Sequence, residues 1–179
     1  MPEPILSSEQ IFNGRAVKLR VETIQKPNGK KTIREIVEHA DCVAVVALDE
    51  KDNVIMVRQF REAAGETLLE IPAGGIDPGE EPGDAVRREL QEEIGFLPLK
   101  IDKIGGFYST PGYCTEYLYL YLARELKPGH LVAEDTESIE VVKVPLSKIP
   151  ELITAGEIRD AKSIAGLLEV ICLGLKGSS

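Results

Sequence analysis

Cys42–Leu48 reads CVAVVAL, seven apolar residues in succession. Nothing polar interrupts the run, so both side-chain rows of the strand it predicts are apolar, and such a strand belongs inside a sheet. Its neighbours have a different pattern. Ala16–Gln25 (AVKLRVETIQ) and Lys31–His39 alternate apolar and polar residues on either side of Pro27-Asn28-Gly29, which predicts an antiparallel hairpin. Ile5–Phe12 reads as a short leading strand. Val54–Phe60, Thr67–Ile71, Ile101–Tyr108, Glu116–Glu125 and Ile139–Val144 are further strand candidates. Gly83–Ile94 reads as a helix, because Val86, Leu90 and Ile94 recur at i, i+4 and i+8 and Gly95 is placed to end it. Pro145–Ala155 suggests a short helix, Asp160–Leu175 a terminal amphipathic one, and Leu126–Ser138 a polar connection. Strands mixed with these helices predict an α+β chain or a sandwich of sheet and helices.

Charge narrows what such a domain can bind. The 179 residues carry 21 basic and 30 acidic side chains, a net charge of −9. That surface repels nucleic-acid backbones, and no basic stripe offsets it. No apolar run approaches the roughly 20 residues that span a bilayer, and Met1–Phe12 lacks the basic start and apolar stretch of a signal peptide. A cytoplasmic protein without nucleic-acid or membrane partners is the expectation. Cys42, Cys114 and Cys172 are odd in number and widely spaced, against a disulfide framework or a cysteine zinc site. An acidic chain can still hold a phosphate compound if cations sit inside its site.

The stretch Gly74–Phe96, GGIDPGEEPGDAVRRELQEEIGF, supplies a place for them. Glu89, Glu92 and Glu93 stand at i, i+3 and i+4 and share a helix face opposite Val86, Leu90 and Ile94. Adjacent carboxylates repel one another, and the C-terminal end of a helix dipole favours cations rather than anions. A divalent metal resolves both conflicts, and Mg²⁺ takes one or two carboxylates together with waters and phosphate oxygens. Arg88, four residues before Glu92, is placed to pair with it. The glycines from Gly74 onward let the backbone pass close to another group and could aim a carbonyl at a metal.

These residues resemble the Nudix box, G-x5-E-x7-R-E-U-x-E-E-x-G-U with U bulky and apolar, at Gly74, Glu80, Arg88, Glu89, Leu90, Glu92, Glu93, Gly95 and Phe96. Beyond the box, Val57–Arg61 (VRQFR), Leu69–Asp77 (LEIPAGGID) and Ser109-Thr110-Pro111-Gly112 followed by Glu116 resemble the ADP-ribose pyrophosphatase branch of that family. So do Arg34–His39 (REIVEH) and Asp160–Leu167 (DAKSIAGL). Pro111, sixteen residues past the box glycine Gly95, matches the branch's substrate signature, while Thr110 and Thr115 depart from its usual Ser and Asp.

The resemblance implies a Nudix α/β/α sandwich with a mixed sheet and a loop-helix-loop motif. It implies one domain over residues 1–179, in which 1–40 form a dimerising hairpin region and 41–179 a catalytic core. It implies Mg²⁺, with Mn²⁺ as the alternative, held by Glu89, Glu93, Glu92 and the Ala73 carbonyl. Glu80 would support the loop or a further metal. A general base would come from the acidic loop, with Glu137 chosen ahead of Glu134 and Glu140. Arg34 and Arg61, and less strongly Arg58, would contact diphosphate oxygens through the planar guanidinium fork, and Glu116 the ribose hydroxyls. Phe60, Tyr108 and Tyr113 could stack on adenine, though core packing is the expectation for each. A homodimer is implied, with Arg34 serving its own site or the neighbour's. The reaction would be ADP-ribose plus water giving AMP and ribose 5-phosphate. Two rivals stand beside it: a pyrophosphatase for another nucleotide sugar such as a GDP-sugar, and a non-catalytic ADP-ribose-binding module.

Overall fold

The structure, a computed structural model, describes residues 3–132 and 138–177. The chain folds as two units, one of Met1–Asp41 with Tyr108–Tyr117 and one of Cys42–Phe107 with Leu118–Ser179. The first unit thus takes in a segment from the middle of the chain.

In the first unit, β1 (Ile5–Asn13), β2 (Val17–Gln25) and β3 (Lys31–His39) pair in that order as an antiparallel sheet. The predicted hairpin is β2–β3, and β1 extends it to three strands. The segment Tyr108–Tyr117 is tied to β3: the Val37 amide donates to the Tyr113 carbonyl at 2.7 Å and the Thr115 amide to the Val37 carbonyl at 3.0 Å. β1 is exposed along its whole length, with Ile5, Leu6, Ile11 and Phe12 among its solvent-facing residues.

The second unit is built on β4 (Cys42–Leu48), every residue of which is buried, as an uninterrupted apolar run requires. Around it lie β5 (Asn53–Arg61), β6 (Glu66–Glu70), β7 (Ala73–Gly75), β8 (Phe96–Tyr108), β9 (Tyr117–Pro128) and β10 (Glu140–Pro145). The path is β10-β5-β4-β9-β8, with β6 added on β5 and β7 on β4. The β4–β9 pair is parallel, whereas β4–β5, β4–β7, β5–β6 and β5–β10 are antiparallel, so the sheet is mixed.

Period-two alternation sends β4 side chains to two cores. Val43, Val45 and Ala47 pack with Ala85, Val86 and Leu90 of α1 (Pro82–Glu93). Ala44, Val46 and Leu48 pack with Ile149 of α2 (Ile149–Thr154) and with Leu167 and Val170 of α3 (Ala161–Cys172). Helices therefore cover both faces, the α/β/α sandwich that the resemblance implied. No helix among the described residues is long and apolar enough to cross a membrane.

Two elements differ from the sequence reading. β7 falls where a loop is expected, because two of its three residues are glycines with little strand propensity and only the ladder to Cys42–Ala44 makes it a strand. β8 begins at Phe96 rather than Ile101. Pro98 argues against a strand there, but β8 ends the sheet path, where an edge strand tolerates a residue without an N–H.

α3 packs closely on the sheet because Gly166 has no side chain. A Cβ there would lie 2.8 Å from Leu120 Cδ1 and 3.1 Å from Ile71 Cδ1. Gly166→Val should therefore destabilise the protein by about 1–3 kcal/mol through overpacking. A thermal melt at or above the wild-type midpoint would show that the helix has room to move.

Candidate active site

α1 begins with Pro82 at its first turn, where the missing N–H costs nothing, and carries Asp84 at the favourable end of the dipole. Gly95, at φ 73°, ends it in a left-handed conformation that few other residues adopt. Burial of Ala85, Val86 and Leu90 on the sheet fixes the helix's rotation, and that rotation places its acidic face.

Glu89 is itself buried and lies against β7. A Cβ at Gly74 would come within 2.0 Å of Glu89 Cδ. The group that the glycine backbone lets pass so closely is thus this carboxylate. Glu93, one turn on, accepts a 3.2 Å hydrogen bond from the Ala73 amide, so the other end of the short β7–α1 contact is also fixed. Glu89, Glu93 and the Ala73 backbone thus sit together, the contact coming from the Ala73 amide rather than its carbonyl.

Arg88 joins the loop to the helix. Its guanidinium donates to both Glu80 oxygens at 2.9 Å, to Glu89 Oε1 at 2.6 Å, to Glu92 Oε2 at 3.2 Å and to the Gly75 carbonyl at 2.8 Å. The expected pairing with Glu92 is present, but the fork is spent mainly on Glu80. Glu80 also accepts from the Asp77 amide at 3.0 Å, so it braces the loop. Its bonds from Arg88 hold its carboxyl below the usual range, and the same contacts raise Arg88 further above its own.

Burial outweighs the bonds that Glu89 and Glu93 accept. Burial pushes Glu89 up despite Arg88. Burial, and then the neighbouring Glu89 charge, push the pKa of Glu93 up to about 8. Arg61 and Lys162 act on Glu93 in the opposite direction but do not cancel this. A buried and a half-buried acid one turn apart, both with raised affinity for protons, are an arrangement that a divalent cation satisfies. The donors are all oxygens, the set that Mg²⁺ takes. The residues present therefore fit a hard divalent ion.

A second cluster was not foreseen. Glu70, whose side chain is 1% exposed, receives a bidentate pair from Arg61 at 2.9 and 2.7 Å and an ion pair from Lys162. Burial alone would raise Glu70, and these two cations more than reverse it. Lys162 also reaches Asp160 at 2.9 Å. The Asp160–Ser163 spacing is a helix N-cap signal within the DAKSIAGL stretch, but its partner Glu70 lies far away in sequence, so the cluster could not be read from the motif.

The other expected substrate residues divide between the units. Arg58, exposed on β5, shares the second unit with Arg61 and the acidic helix. Arg34, Pro111 and Glu116 belong to the first unit: Arg34 lies 4.0 Å from Glu3, Pro111 is exposed, and Glu116 lies 3.5 Å from His39 Nδ1. Glu137 and Glu134 lie outside the described residues, while Glu140 opens β10 and is exposed. Core packing is overturned for three aromatics, since Phe60, Tyr108 and Tyr113 are all exposed. Each sits near a strand end or in a connecting segment, where no layer covers it.

The chain is similar to several known proteins. The model of the NUDIX domain matches residues 38–167. An ADP-ribose pyrophosphatase of Bacillus subtilis (strain 168) is 41% identical over 91% of this chain and 89% of its own. A GDP-mannose pyrophosphatase of Cronobacter sakazakii is 33% identical over 73% of each chain. Among solved structures, one titled as the crystal structure of an ADP compounds hydrolase superposes with a TM-score of 0.89 at 23% identity, covering 97% of this chain and 94% of that one.

The raised proton affinity of Glu93 has a stability consequence. Between the ordinary glutamate value and about 8, the unfolded chain has released the Glu93 proton and the folded protein still holds it, so stability falls as pH rises through that window. In chelator at pH 8–9, Glu93→Gln should therefore melt at or above wild type, by up to a few kcal/mol, since each tenfold change in proton affinity is worth about 1.4 kcal/mol. A variant clearly less stable than wild type there would contradict the assigned burial penalty. Gly74→Ala should displace Glu89, and titration with Mn²⁺ should show binding weakened at least about tenfold, the scale of lost ligand orientation.

Proposed function

The chain belongs to the NUDIX family, and from that premise we propose that it hydrolyses the pyrophosphate bond of ADP-ribose, releasing AMP and ribose 5-phosphate, with Mg²⁺ as its metal. The observation that carries the reading is the pair of buried Glu89 and half-buried Glu93, held against β7 by Gly74 and Ala73. The 41% identity with an ADP-ribose pyrophosphatase, over nearly all of both chains, supports the substrate.

Glu89, Glu93, Glu92 and the Ala73 carbonyl would hold the metal. Once bound, it supplies positive charge to the diphosphate and makes a bound water more acidic. The protein's own part is positioning. Arg88 and Glu80 hold α1 and the preceding loop in one geometry, so the carboxylates need not reorganise when the substrate arrives. Arg61 presents its Nε and one terminal nitrogen to Glu70, which leaves the other terminal nitrogen for a phosphate oxygen. Arg58 on β5 and Arg34, Pro111 and Glu116 of the first unit would contact diphosphate and ribose. Glu137 would take the proton from the attacking water, with Glu134 next in order.

We also propose a homodimer formed through the first unit. Ile5, Leu6, Ile11, Phe12 and Ile33 expose apolar side chains on a sheet whose β1 is an open edge, and a second copy would cover them. Arg34, on the same sheet, would then serve its own site or its neighbour's. The 33% identity with a GDP-mannose pyrophosphatase favours a second substrate reading, since the metal chemistry would be shared and only the base and sugar contacts would change.

Initial rates of monophosphate release on ADP-ribose, GDP-mannose and diadenosine compounds, with Mg²⁺ and with chelator, test the reading. ADP-ribose should be among the best substrates and chelator should abolish turnover. Faster release from GDP-mannose would transfer the assignment. Glu93→Gln should lower kcat by two or more orders of magnitude with the fold intact, the scale of one lost electrostatic stabiliser of about 3 kcal/mol.

A further inference from the structure

The sequence DAKSIAGL remains without a part in the reaction, although its first residues meet the segment that leads to the site. Asp160 is the N-cap of α3, and its Oδ2 accepts from the Ser163 amide at 3.0 Å, the Ser163 hydroxyl at 2.6 Å and Lys162 Nζ at 2.9 Å. With its proton committed to Asp160, Ser163 Oγ is left as an acceptor, and it takes the Ile71 amide at 2.8 Å. Ser163 is fully buried and Ile71 nearly so, so water cannot replace that bond. The Val45 amide donates to the Pro72 carbonyl at 2.9 Å, and the Ala73 amide to Glu93 at 3.2 Å. Residues 70–73 are thus held at each step: Glu70 by Arg61 and Lys162, Ile71 by Ser163, Pro72 by β4, and Ala73 against the acidic helix.

We propose that Ser163 is a positioning residue for the metal-binding end of β7, its hydroxyl, oriented by the Asp160 carboxylate, holding Ile71 and so setting where Ala73 meets Glu93. The inference rests on the proposed role of Ala73 and Glu93 in metal binding. A span of two residues separates the braced amide from the Ala73 carbonyl, and Pro72 stiffens it by fixing its own φ. Displacement of Ile71 by an unpaired buried N–H is therefore passed on to Ala73 rather than absorbed. Lys162 completes the device. It joins Asp160 to Glu70, so the capping carboxylate and the β6 terminus move together.

Ser163→Ala removes the acceptor, and Ser163→Thr retains it. Val170→Ala, two turns further along the same helix and packed in the same core, measures what loosening α3 alone does. Three quantities are read: exchange of the Ala73 amide by NMR in chelator, the Mn²⁺ dissociation constant without substrate, and kcat and KM at saturating metal. Ser163→Ala should speed Ala73 exchange and weaken Mn²⁺ binding, each about tenfold. It should lower kcat about tenfold with KM changed less than about threefold, scaled on the loss of a supporting partner of a metal ligand. Val170→Ala should leave Mn²⁺ affinity and kcat at wild-type values, and Ser163→Thr should restore them. Wild-type exchange and Mn²⁺ affinity in Ser163→Ala would overturn the inference, as would equal losses in Val170→Ala. If Ser163→Ala does not fold, Asp160→Asn, which retains a cap acceptor, should show the same losses in smaller degree, and wild-type behaviour there would overturn it as well. A wild-type protein inert on ADP-ribose would sink the substrate reading alone, since amide exchange and Mn²⁺ affinity are measured without it.

Discussion

The guanidinium of Arg88 is the contact on which the site's geometry depends. A short helix can offer three carboxylates at i, i+3 and i+4, but left alone they would repel one another and turn to solvent. Arg88 reaches Glu80 in the loop, Glu89 and Glu92 on the helix, and the Gly75 carbonyl on β7. One planar cation thereby ties three pieces of chain together. Its fixed fork matters more than its charge, because a lysine could not bond all of these groups in one plane.

The two-sided sheet provides the rigid support for that tie. β4 is buried on both faces, so its position is set by α1 on one side and by α2 and α3 on the other. β7 pairs with the first residues of β4, and through that ladder it inherits the position of the whole sheet. α1 is set by its own burial of Ala85, Val86 and Leu90 on the same sheet. Loop and helix thus take their places from one core, which is why a three-residue strand can serve as one wall of a site.

Much of this was legible in the chain. CVAVVAL announced the central strand, the i, i+4, i+8 pattern fixed the helix face, and the spacing of Gly74, Glu80, Arg88 and the glutamates carried the chemistry. What was not legible follows from long-range pairing. Glu70 reads as an ordinary strand carboxylate until Lys162, 92 residues later, is brought beside it. β7 has no pattern of its own and exists only because β4 offers it a partner. Glu80 was ambiguous between loop support and metal binding because both need an acid at that spacing. Its bonds to Arg88 and to the Asp77 amide, which favour loop support, exist only in the folded loop. The exposed Phe60, Tyr108 and Tyr113 show the limit of composition: aromatic residues near strand ends follow the layers above them, which local sequence does not encode.

The energetic logic of the site runs against folding. Glu89 and Glu93 are desolvated, close together, and near the helix end whose dipole favours cations. Each of these features opposes stability, and each would favour a bound divalent cation. Had the carboxylates been spread over the surface, water would solvate them at no cost, and a metal would gain little by displacing it. The opposing terms are met by apolar burial in the two cores and by the Arg88 and Glu70 clusters, whose charges are matched by partners of the chain itself. The molecule thus separates acids whose charge its own partners favour, Glu80 and Glu70, from acids on which burial outweighs the bonds they accept, Glu89 and Glu93. The first pair shapes the scaffold, and the second is the pair that the proposed metal would meet.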